Sequence, residues 1–581
     1  MIEEVYPANN MVDIDAVMQE VNQQEGLSFQ RSEKESPYIA MYSGGYHSYG
    51  QLKIGFLPSF PRSLPAIFVF DPTTPRLHVD SKGKICLTDE SSLLLDENKP
   101  TQLIIECLKL AERVLSLIPG SAEYQDELKK EFLFYWGLRE HGITIWSILP
   151  IVGGTSIQQA SLFRFGKSYI LAPSIADANS FLCDHYGFPP LSDPEKCKKT
   201  AWVIPLKEDA TVPSPFVTHN WSDVIGYFKE NSAEETRQQF WELTNPRVKK
   251  FLLHLIFVIP ASSGDIVFGF VISINNKHRL PIKASLTRMV LQVNVVRYDY
   301  DFLLSRCCAT PSLKDKRVLL LGCGSVGGFL ANNLCQMGVS QLDILDKDIF
   351  SAHNIHRHFM GFEALKQPAT DKADLLRNVL NEKYAYLDID SLNYVDRSVE
   401  HVILEDPNRL AQYDLIISAL GEPTLNLAIN DLLIERNIQV PFIACFNEPY
   451  GIGGHVITTN LSNESCLRCF YSDPTYGTLC SFRGSLVASG QNFKKSLSGC
   501  SGTFVPYSTL DSQQTAIHAA RKAVAVLTGA LTHNDFYTWR GDATLLESHG
   551  FRVSAYFGAG PLSEQFVNPQ CPTCKRRNSK P

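Results

Sequence analysis

The chain has 581 residues, of which 44% are hydrophobic and 20% charged, the composition of an ordinary globular protein with about two to four domains. Its formal net charge of -7 and the lack of any basic run argue against a nucleic-acid-binding protein. Because no stretch approaches about 18 uninterrupted apolar residues, the sequence predicts no membrane-spanning segment.

The cysteines and the N-terminus indicate the compartment. There are 15 cysteines, an odd number, and the first residues are acidic and amphipathic, unlike a signal peptide. In a large chain without a secretion signal, such cysteines are expected to be reduced thiols, metal ligands or nucleophiles. We therefore expect a cytoplasmic protein.

The N-terminal region has the pattern of a small α+β domain. A short helix is predicted over residues 11–23, and a second helix, from apolar residues at helical spacing, over Thr101–Leu117. Between them, turns rich in glycine and proline separate three predicted strands, as in an antiparallel meander. These strands are Tyr38–Tyr42, Gln51–Leu57 and Ala66–Phe70.

Between the meander and the second helix lies the segment GKICL, residues 83–87, which contains Cys86. Helix, meander, cysteine loop and helix together resemble a ubiquitin-conjugating domain. The resemblance implies that Cys86 is a nucleophile that carries a thioester, and the polar run before it predicts an exposed loop. The alternative is a buried structural cysteine. The resemblance also places His78 where the family has an asparagine that stabilises an oxyanion.

Residues 123–295 show no chemistry of their own. Two helices are predicted at Glu127–Leu138 and Ala233–Trp241, and two buried strands at Leu253–Ile259 and Ile266–Ile274. This pattern predicts an α/β linker domain.

A glycine-rich turn follows the first strand of the C-terminal region. The apolar run Val318–Leu321 leads into Gly322, Gly324 and Gly327, then a helix, then a second apolar strand that ends in Asp346. A turn of this kind at a helix N-terminus favours phosphate, and the acidic residue is placed to bind ribose hydroxyls. Alone, this βαβ unit would be typical of a dinucleotide-binding dehydrogenase.

The next residues change that interpretation. Asp346, Asp348, Asn354 and Arg357 have the spacing D-x-D…N-x-x-R, which resembles the ThiF/MoeB/ubiquitin-activating family. These enzymes adenylate the C-terminal carboxylate of a small β-grasp protein. The resemblance therefore implies ATP and Mg²⁺ as cofactors, with Asn354 and Arg357 beside the phosphates.

Two further assignments in this region depend on the resemblance. The family expects a lysine on the following helix, for which Lys372 fits and Lys366 is the alternative. Where the family commonly has a magnesium-binding aspartate, this chain has Gly421, so Glu422 or Asp348 takes the metal or the magnesium geometry differs.

Two CxxC pairs predict a metal centre. The pairs are Cys466 with Cys469 and Cys571 with Cys574. Four thiolates at this spacing are the ligand set of a closed tetrahedral Zn²⁺ site, which leaves no open position for a substrate. We therefore expect a structural zinc that ties the C-terminal tail to the domain.

A glycine-flanked cysteine, Cys500, precedes a long predicted helix between the two CxxC pairs. The activating-enzyme resemblance makes Cys500 the thioester nucleophile of this domain, with Cys480 as the alternative. A third possibility is that neither is catalytic and that the adenylate is handed over directly.

The complete chain resembles the bacterial ubiquitin-activating/ubiquitin-conjugating fusions of type II CBASS anti-phage operons. We expect an α/β multidomain fold: a ubiquitin-conjugating-like α+β domain (1–122), an α/β linker (123–295) and a Rossmann-like ThiF-type adenylation domain with the zinc site (296–581). The resemblance implies a protein substrate with a free C-terminus, such as a cGAS/DncV-like nucleotidyltransferase, and a homodimer formed through the adenylation domain. The alternatives are a sulfur-carrier adenylyltransferase and a non-catalytic binding protein with an inactive conjugating fold.

Overall fold

The computed structural model describes residues 12–70, 76–88, 93–138, 142–151, 153–191, 197–243, 250–261, 264–275, 287–305, 307, 311–366, 371–384, 386–391, 403, 406–462, 464–471, 482–496, 503–559, 567–569 and 571–574. The chain forms two compact units, Met1–Val296 and Arg297–Pro581. Within the described ranges, no helix is both long and apolar enough to cross a bilayer.

The first unit begins with a four-stranded antiparallel sheet of order β1-β2-β3-β4, covered by two helices. These elements are α1 (Ile14–Glu25), β1 (Gln30–Arg31), β2 (Ala40–Gly45), β3 (Gln51–Phe56), β4 (Ala66–Val69) and α2 (Pro100–Leu115). The Asp13 side chain caps α1 by accepting the N–H of Ala16 at 3.1 Å. The predicted meander is confirmed, and β1 adds a short edge strand that was not predicted.

The remainder of this unit is a closed seven-stranded barrel of order β10-β11-β5-β7-β6-β8-β9. Its strands are β5 (Ile143–Ser147), β6 (Gln158–Phe165), β7 (Ser168–Leu171), β8 (Lys198–Pro205), β9 (Lys250–Ile259), β10 (Ile266–Asn275) and β11 (Thr287–Arg297). The helices are α3 (Ala122–Gly137), α4 (Ile175–Tyr186), α5 (Trp221–Asn231) and α6 (Glu234–Leu243). The predicted strands and helices are present, but their closure into a barrel was not predicted.

Alternate residues of the barrel strands enter different cores. On β9, Ile256 and Val258 pack with the apolar side chains of one cluster, whereas Leu255 and Phe257 pack in a second cluster with helices α3 and α5. This period of two explains why β9 is continuously apolar from Leu255 to Ile259, because both of its faces are buried there.

The second unit is built on a seven-stranded sheet of order β14-β13-β12-β15-β16-β17-β20, in which the first five strands are parallel. The sheet strands are β12 (Arg317–Leu321), β13 (Gln341–Leu345), β14 (Asp388–Ser391), β15 (Leu415–Ser418), β16 (Phe442–Asn447), β17 (Gly453–Thr459) and β20 (Asp535–Arg540), and a separate pair is β18 (Lys495–Ser496) with β19 (Thr503–Phe504).

Helices cover both faces of this sheet, with one apolar core on each face. The helices that contribute to these cores are α8 (Ser325–Met337), α9 (Lys372–Lys383), α10 (Pro423–Glu435), α11 (Arg468–Tyr471) and α12 (Thr509–Leu527). The unit also contains the short helices α7 (Tyr300–Ser305), α13 (Thr544–Ser548) and α14 (Ala555–Gly558). The order β12-α8-β13 confirms the predicted Rossmann-like unit, and it places the glycine-rich turn at the carboxyl edge of the parallel strands.

Candidate active sites and metal centre

The glycine-rich turn is fixed by close backbone packing. Gly322 has a φ of +83°, which favours glycine, and its N–H donates to the Leu345 carbonyl at 2.8 Å. A Cβ at position 327 would lie only 2.0 Å from the Gly322 oxygen, whereas a Cβ at Gly324 would meet nothing within 4 Å. Gly322 and Gly327 are thus required by the turn, and Gly324 faces open space at the N-terminus of α8.

Asp346 follows β13 and organises this turn. Its two carboxylate oxygens accept the N–H of Cys323 at 2.8 Å and the N–H of Asp348 at 2.9 Å. Because an ionised carboxylate has about four acceptor positions, it keeps the capacity to accept ribose hydroxyls. The geometry is compatible with the predicted ribose role, which stays a prediction.

Lys372, the first residue of α9, points at the same carboxylates. Its Nζ lies 3.0 Å from Asp348 and 3.9 Å from Asp346, and the lysine is only 4% exposed. Lys366 instead pairs with Glu363, and both of those side chains are mostly exposed. Of the two lysines proposed from the sequence, the structure brings Lys372 to the turn.

Arg357 and Asn354 lie in a 3-10 helix over Ala352–Arg357. The Asn354 side chain accepts the N–H of Ser351 at 2.9 Å and so closes the first turn of this helix. The Arg357 guanidinium lies 5.8 Å from the ring centroid of Tyr507, and the Tyr507 hydroxyl is 3.0 Å from the Ser325 hydroxyl at the start of α8. Tyr507 therefore connects Arg357 to the glycine-rich turn.

A buried histidine supports the turn from beneath. His358 Nε2 donates to the Cys323 carbonyl at 2.5 Å, and its Nδ1 accepts the Met360 N–H at 3.2 Å. Burial lowers the pKa of His358 to about 4, so the ring is neutral at physiological pH. A Cβ on Gly328 would lie 2.7 Å from this ring, which explains a fourth small residue in the turn.

The magnesium assignment stays open between two residues. Asp348 has a side chain that is 62% exposed, and Glu422 is an exposed residue before α10. Gly421 adopts a φ of +67°, which an aspartate would adopt only with strain. Mg²⁺ binding by either carboxylate stays a prediction.

The two CxxC pairs come together in the second unit. The sulfur atoms of Cys466, Cys469, Cys571 and Cys574 all lie within 4.8 Å of one another, and all four residues are buried. Three of the S···S distances are 3.4, 3.5 and 3.8 Å. A tetrahedral site with Zn–S bonds of about 2.3 Å has S···S edges of about 3.8 Å. The donor set therefore fits Zn²⁺.

An aspartate next to the four sulfurs also connects the two CxxC pairs. Asp431 on α10 accepts from Arg468, inside the first pair, and from the Thr573 hydroxyl, inside the second, at 2.9 Å. Hydrogen bonds from the other three thiols, Cys466 first, lower the pKa of Cys469, which favours a metal-binding thiolate. Bound zinc would serve here as a structural staple.

Cys86 lies on a short hairpin beside β4. Val79 pairs with Ile85, and the Asp80 carboxylate accepts the N–H groups of Lys82 and Lys84 at 2.8 and 2.9 Å, which closes the turn. Ile85 is buried in the domain core, whereas the next residue, Cys86, is an exposed free thiol. This exposure argues against a buried structural cysteine.

His78 lies on the opposite arm of this hairpin, with a φ of +57°. Its Nε2 is 3.2 Å from a Glu127 carboxylate oxygen, and its backbone N–H donates to the Tyr135 hydroxyl at 2.8 Å. Hydrogen bonding to Lys130, and then to His78, holds the pKa of Glu127 below its usual range. The oxyanion role of His78 stays a prediction, with one ring nitrogen engaged by Glu127.

The other two thiols proposed from the sequence, Cys500 and Cys480, lie outside the described residues. The paired strands β18 and β19 end at Ser496 and begin at Thr503, so they flank the segment that contains Cys500.

Sequence reasoning missed three residues at these sites: Glu127, Tyr135 and Tyr507. Each contacts its site from a segment that is far away in the sequence, α3 for the first two and the loop before α12 for Tyr507, and none belongs to a motif. The helical pattern over Glu127–Leu138 was visible, but no local signal indicated which face would meet the cysteine hairpin.

Comparisons with known proteins match each end of the chain to a family. Residues 22–144 match prokaryotic E2 family B, and residues 306–541 match the ThiF family. The ATP-dependent ubiquitin transferase-like protein Cap2 of Pseudomonas aeruginosa is 24% identical over 471 residues, which are 76% of this chain and 77% of that protein. The protein of the same name from Vibrio cholerae is 28% identical over 274 residues, 45% of this chain and 44% of its own length.

Among solved structures, a crystal structure of E. coli MccB with ATP has 13% sequence identity and a TM-score of 0.31, covering 45% of this chain and 68% of that one. The two family matches fall on the two compact units, and α3, which begins at the proposed boundary at residue 122, lies inside the E2 match. The chain is therefore an enzyme in which a prokaryotic E2 domain and a ThiF-type adenylation domain are fused, as in the bacterial Cap2 proteins that it resembles.

Proposed function

We propose that this enzyme uses ATP to adenylate the C-terminal carboxylate of a protein, transfers the acyl group to Cys500 and then to Cys86, and ligates it to an amine. The observation that carries the proposal is the presence, on one chain, of an exposed thiol on a rigid hairpin and a glycine-rich turn surrounded by Asp346, Lys372 and Arg357.

The adenylation step follows from the charges around the turn. ATP would place its phosphates over the N-terminus of α8, where Gly324 leaves open space and the first N–H groups of the helix have no partner within the helix. Attack of the carboxylate on the α-phosphorus releases pyrophosphate, and the negative charge that develops is stabilised by Lys372 and Arg357. Mg²⁺ would neutralise further phosphate charge when bound.

The assignment of Cys500 rests on its position in the chain. Cys500 precedes Tyr507 by only seven positions, and Tyr507 contacts both Ser325 and Arg357. Because seven extended residues span at most about 25 Å, the thiol lies within a bounded distance of the adenylate. A thioester at Cys500, then at Cys86, divides one difficult acyl transfer into steps with lower barriers.

For the substrate, we propose one class of protein within the general reaction described above. The relatives are named as ubiquitin transferase-like proteins, and the resemblance to CBASS fusions points to the C-terminus of a cGAS/DncV-like nucleotidyltransferase, primed in anti-phage defence. We further propose that the adenylation unit forms a homodimer and that the bound cofactors are ATP, Mg²⁺ and Zn²⁺.

Pyrophosphate exchange into ATP tests the adenylation step. Exchange should require a nucleotidyltransferase with a free C-terminal carboxylate and should fail with the same protein amidated at its C-terminus. Asp346→Ala should abolish exchange, whereas Cys86→Ala and Cys500→Ala should retain it. Exchange that is independent of the carboxylate would contradict the proposal.

The order of the thioesters is tested with the two cysteine variants. Cys86→Ala should form a reductant-sensitive adduct at Cys500 but no isopeptide product, and Cys500→Ala should load neither site. Cys183→Ser, which changes another free thiol of the first unit, is the control and should behave as the wild type. Loading of Cys86 at the wild-type rate in Cys500→Ala would refute the role of Cys500 and direct attention to Cys480.

A further inference from the structure

The hydroxyl of Tyr135 lies at the strand pair that carries Cys86. Because Val79 pairs with Ile85, His78 lies opposite Cys86, whose N–H donates to the His78 carbonyl at 2.6 Å. In a regular antiparallel pair of this type, the His78 N–H would donate in return to the Cys86 carbonyl. It donates instead to the Tyr135 hydroxyl, at 2.8 Å. His78 has a φ of +57°, outside the strand region, and the phenol oxygen is thus bonded to the residue that lies directly opposite Cys86.

The hydroxyl proton of Tyr135 is available for a second hydrogen bond. The phenol oxygen accepts from His78, and a phenol can donate its own O–H at the same time. No hydrogen-bond acceptor for this proton occurs among the described residues. Burial raises the pKa of Tyr135, the hydrogen bond from His78 lowers it, and Glu131 and then Cys86 raise it; the net shift is upward, so the hydroxyl stays protonated at neutral pH.

The ring of Tyr135 is held by its helix. It packs edge-on against Phe216, with the ring centroids 5.2 Å apart. Phe132, one turn before Tyr135 on α3, and Trp136, the residue after it, are buried in the same apolar cluster as Leu77, the residue before His78. Helix α3 is thus anchored both to the barrel and to the hairpin of Cys86, which makes the position of the hydroxyl rigid.

We propose that Tyr135 is a catalytic residue of acyl transfer from Cys86, donating its O–H to the thioester oxygen as the amine attacks. This rests on the proposed function, in which Cys86 carries the acyl group. The amine nitrogen bonds to the carbonyl carbon, and the C=O electron pair moves onto oxygen, where Tyr135 stabilises it. The C–S bond then breaks, Cys86 leaves as a thiolate, and the proton lost by the nitrogen neutralises that thiolate.

A single-turnover chase separates this role from the earlier steps. The chain is loaded at Cys86 with a nucleotidyltransferase C-terminus, ATP is removed, and free lysine is added as the amine. Tyr135→Phe should be loaded to the wild-type extent but lose its thioester at least about 10-fold more slowly, since removing one oxyanion donor costs on the order of 10²-fold or more in acyl-transfer enzymes. Because the decay is first order, its rate constant does not depend on how much of the variant is folded.

Tyr124→Phe is the matched control, because Tyr124 lies on the same helix and packs against the same apolar cluster. It should discharge at the wild-type rate. Wild-type discharge by Tyr135→Phe would overturn the proposal, as would an equal loss of loading and discharge, which indicates a structural role. If the wild-type chain itself is never loaded at Cys86, the proposed function fails instead.

Discussion

The substitution Gly327→Ala tests the geometry of the glycine-rich turn. The added Cβ would lie 2.0 Å from the Gly322 oxygen, although real Cβ contacts are essentially never shorter than 3.0 Å. The turn or the start of α8 must therefore move by about 1 Å. The Cβ of Ala419, 3.4 Å from the same point, limits movement on the side of β15.

Overpacking of this kind destabilises a protein by about 1–3 kcal/mol. Because the Gly322 oxygen and Ala419 leave no free space for the new Cβ, we expect a cost near 3 kcal/mol at this site. Replacing glycine by alanine in a helix stabilises the helix by up to about 1 kcal/mol, so the free energy of unfolding should fall by about 2 kcal/mol in total. For a unit of this size, that lowers the melting temperature by about 4–8 °C. Scanning calorimetry of the complete chain measures the shift, and pyrophosphate exchange should fall because the displaced N–H groups no longer meet the phosphates.

Two matched glycines separate packing from nucleotide binding. A Cβ on Gly558, like one on Gly324, would meet nothing within 4 Å, so Gly558→Ala should leave both the melting temperature and pyrophosphate exchange unchanged. Gly324→Ala should cost at most about 1 kcal/mol as an N-cap change, yet weaken ATP binding, because its Cβ would occupy the phosphate space. A Gly327→Ala protein with wild-type melting and wild-type exchange would refute the account of this turn.

Three further predictions address the metal, the lysine and the histidine. Cys571→Ser should lose bound zinc, measured by elemental analysis, and melt at a lower temperature, whereas the exposed-thiol control Cys307→Ser should retain both. Lys372→Gln should reduce pyrophosphate exchange by on the order of 10²-fold, because the charge that develops on the phosphates loses its nearest lysine; undiminished exchange would remove Lys372 from the site. The pKa of His358 falls from 6.5 to about 4 on folding, so the unfolded chain binds the extra proton between these values and the free energy of unfolding should decrease as the pH drops from 6.5 towards 4. His358→Gln should show a weaker pH dependence in the same calorimetric series.

The parts of the fold that could be predicted have local signals. The run Val318–Leu321 is buried on both faces of a parallel sheet, so it had to be continuously apolar, and the glycines after it follow from backbone contacts within the turn. The zinc ligands were equally clear, because a tetrahedral thiolate site needs paired cysteines close together in sequence.

The parts that could not be predicted depend on contacts between distant segments. Closure of the barrel requires β10 to pair with β11 and β11 with β5, a pairing that no residue pattern specifies. The contact of Tyr135 with His78 joins residues 57 positions apart, and that of Tyr507 with Ser325 joins residues 182 apart. The domain boundaries at 122/123 and 295/296 stay predictions for the same reason, since α3 packs on both the hairpin and the barrel.

The central claim is that the two units act in series on one acyl group. The most direct test is to mix the wild-type chain, ATP, Mg²⁺ and a cGAS/DncV-like nucleotidyltransferase, quench in acid before adding any amine, and map the adduct by mass spectrometry. The account predicts the substrate's C-terminal carbonyl in thioester linkage to Cys86, absent without ATP and absent in Asp346→Ala. Release of AMP and pyrophosphate with no adduct at Cys86, or with the adduct on another residue of the first unit, would contradict it.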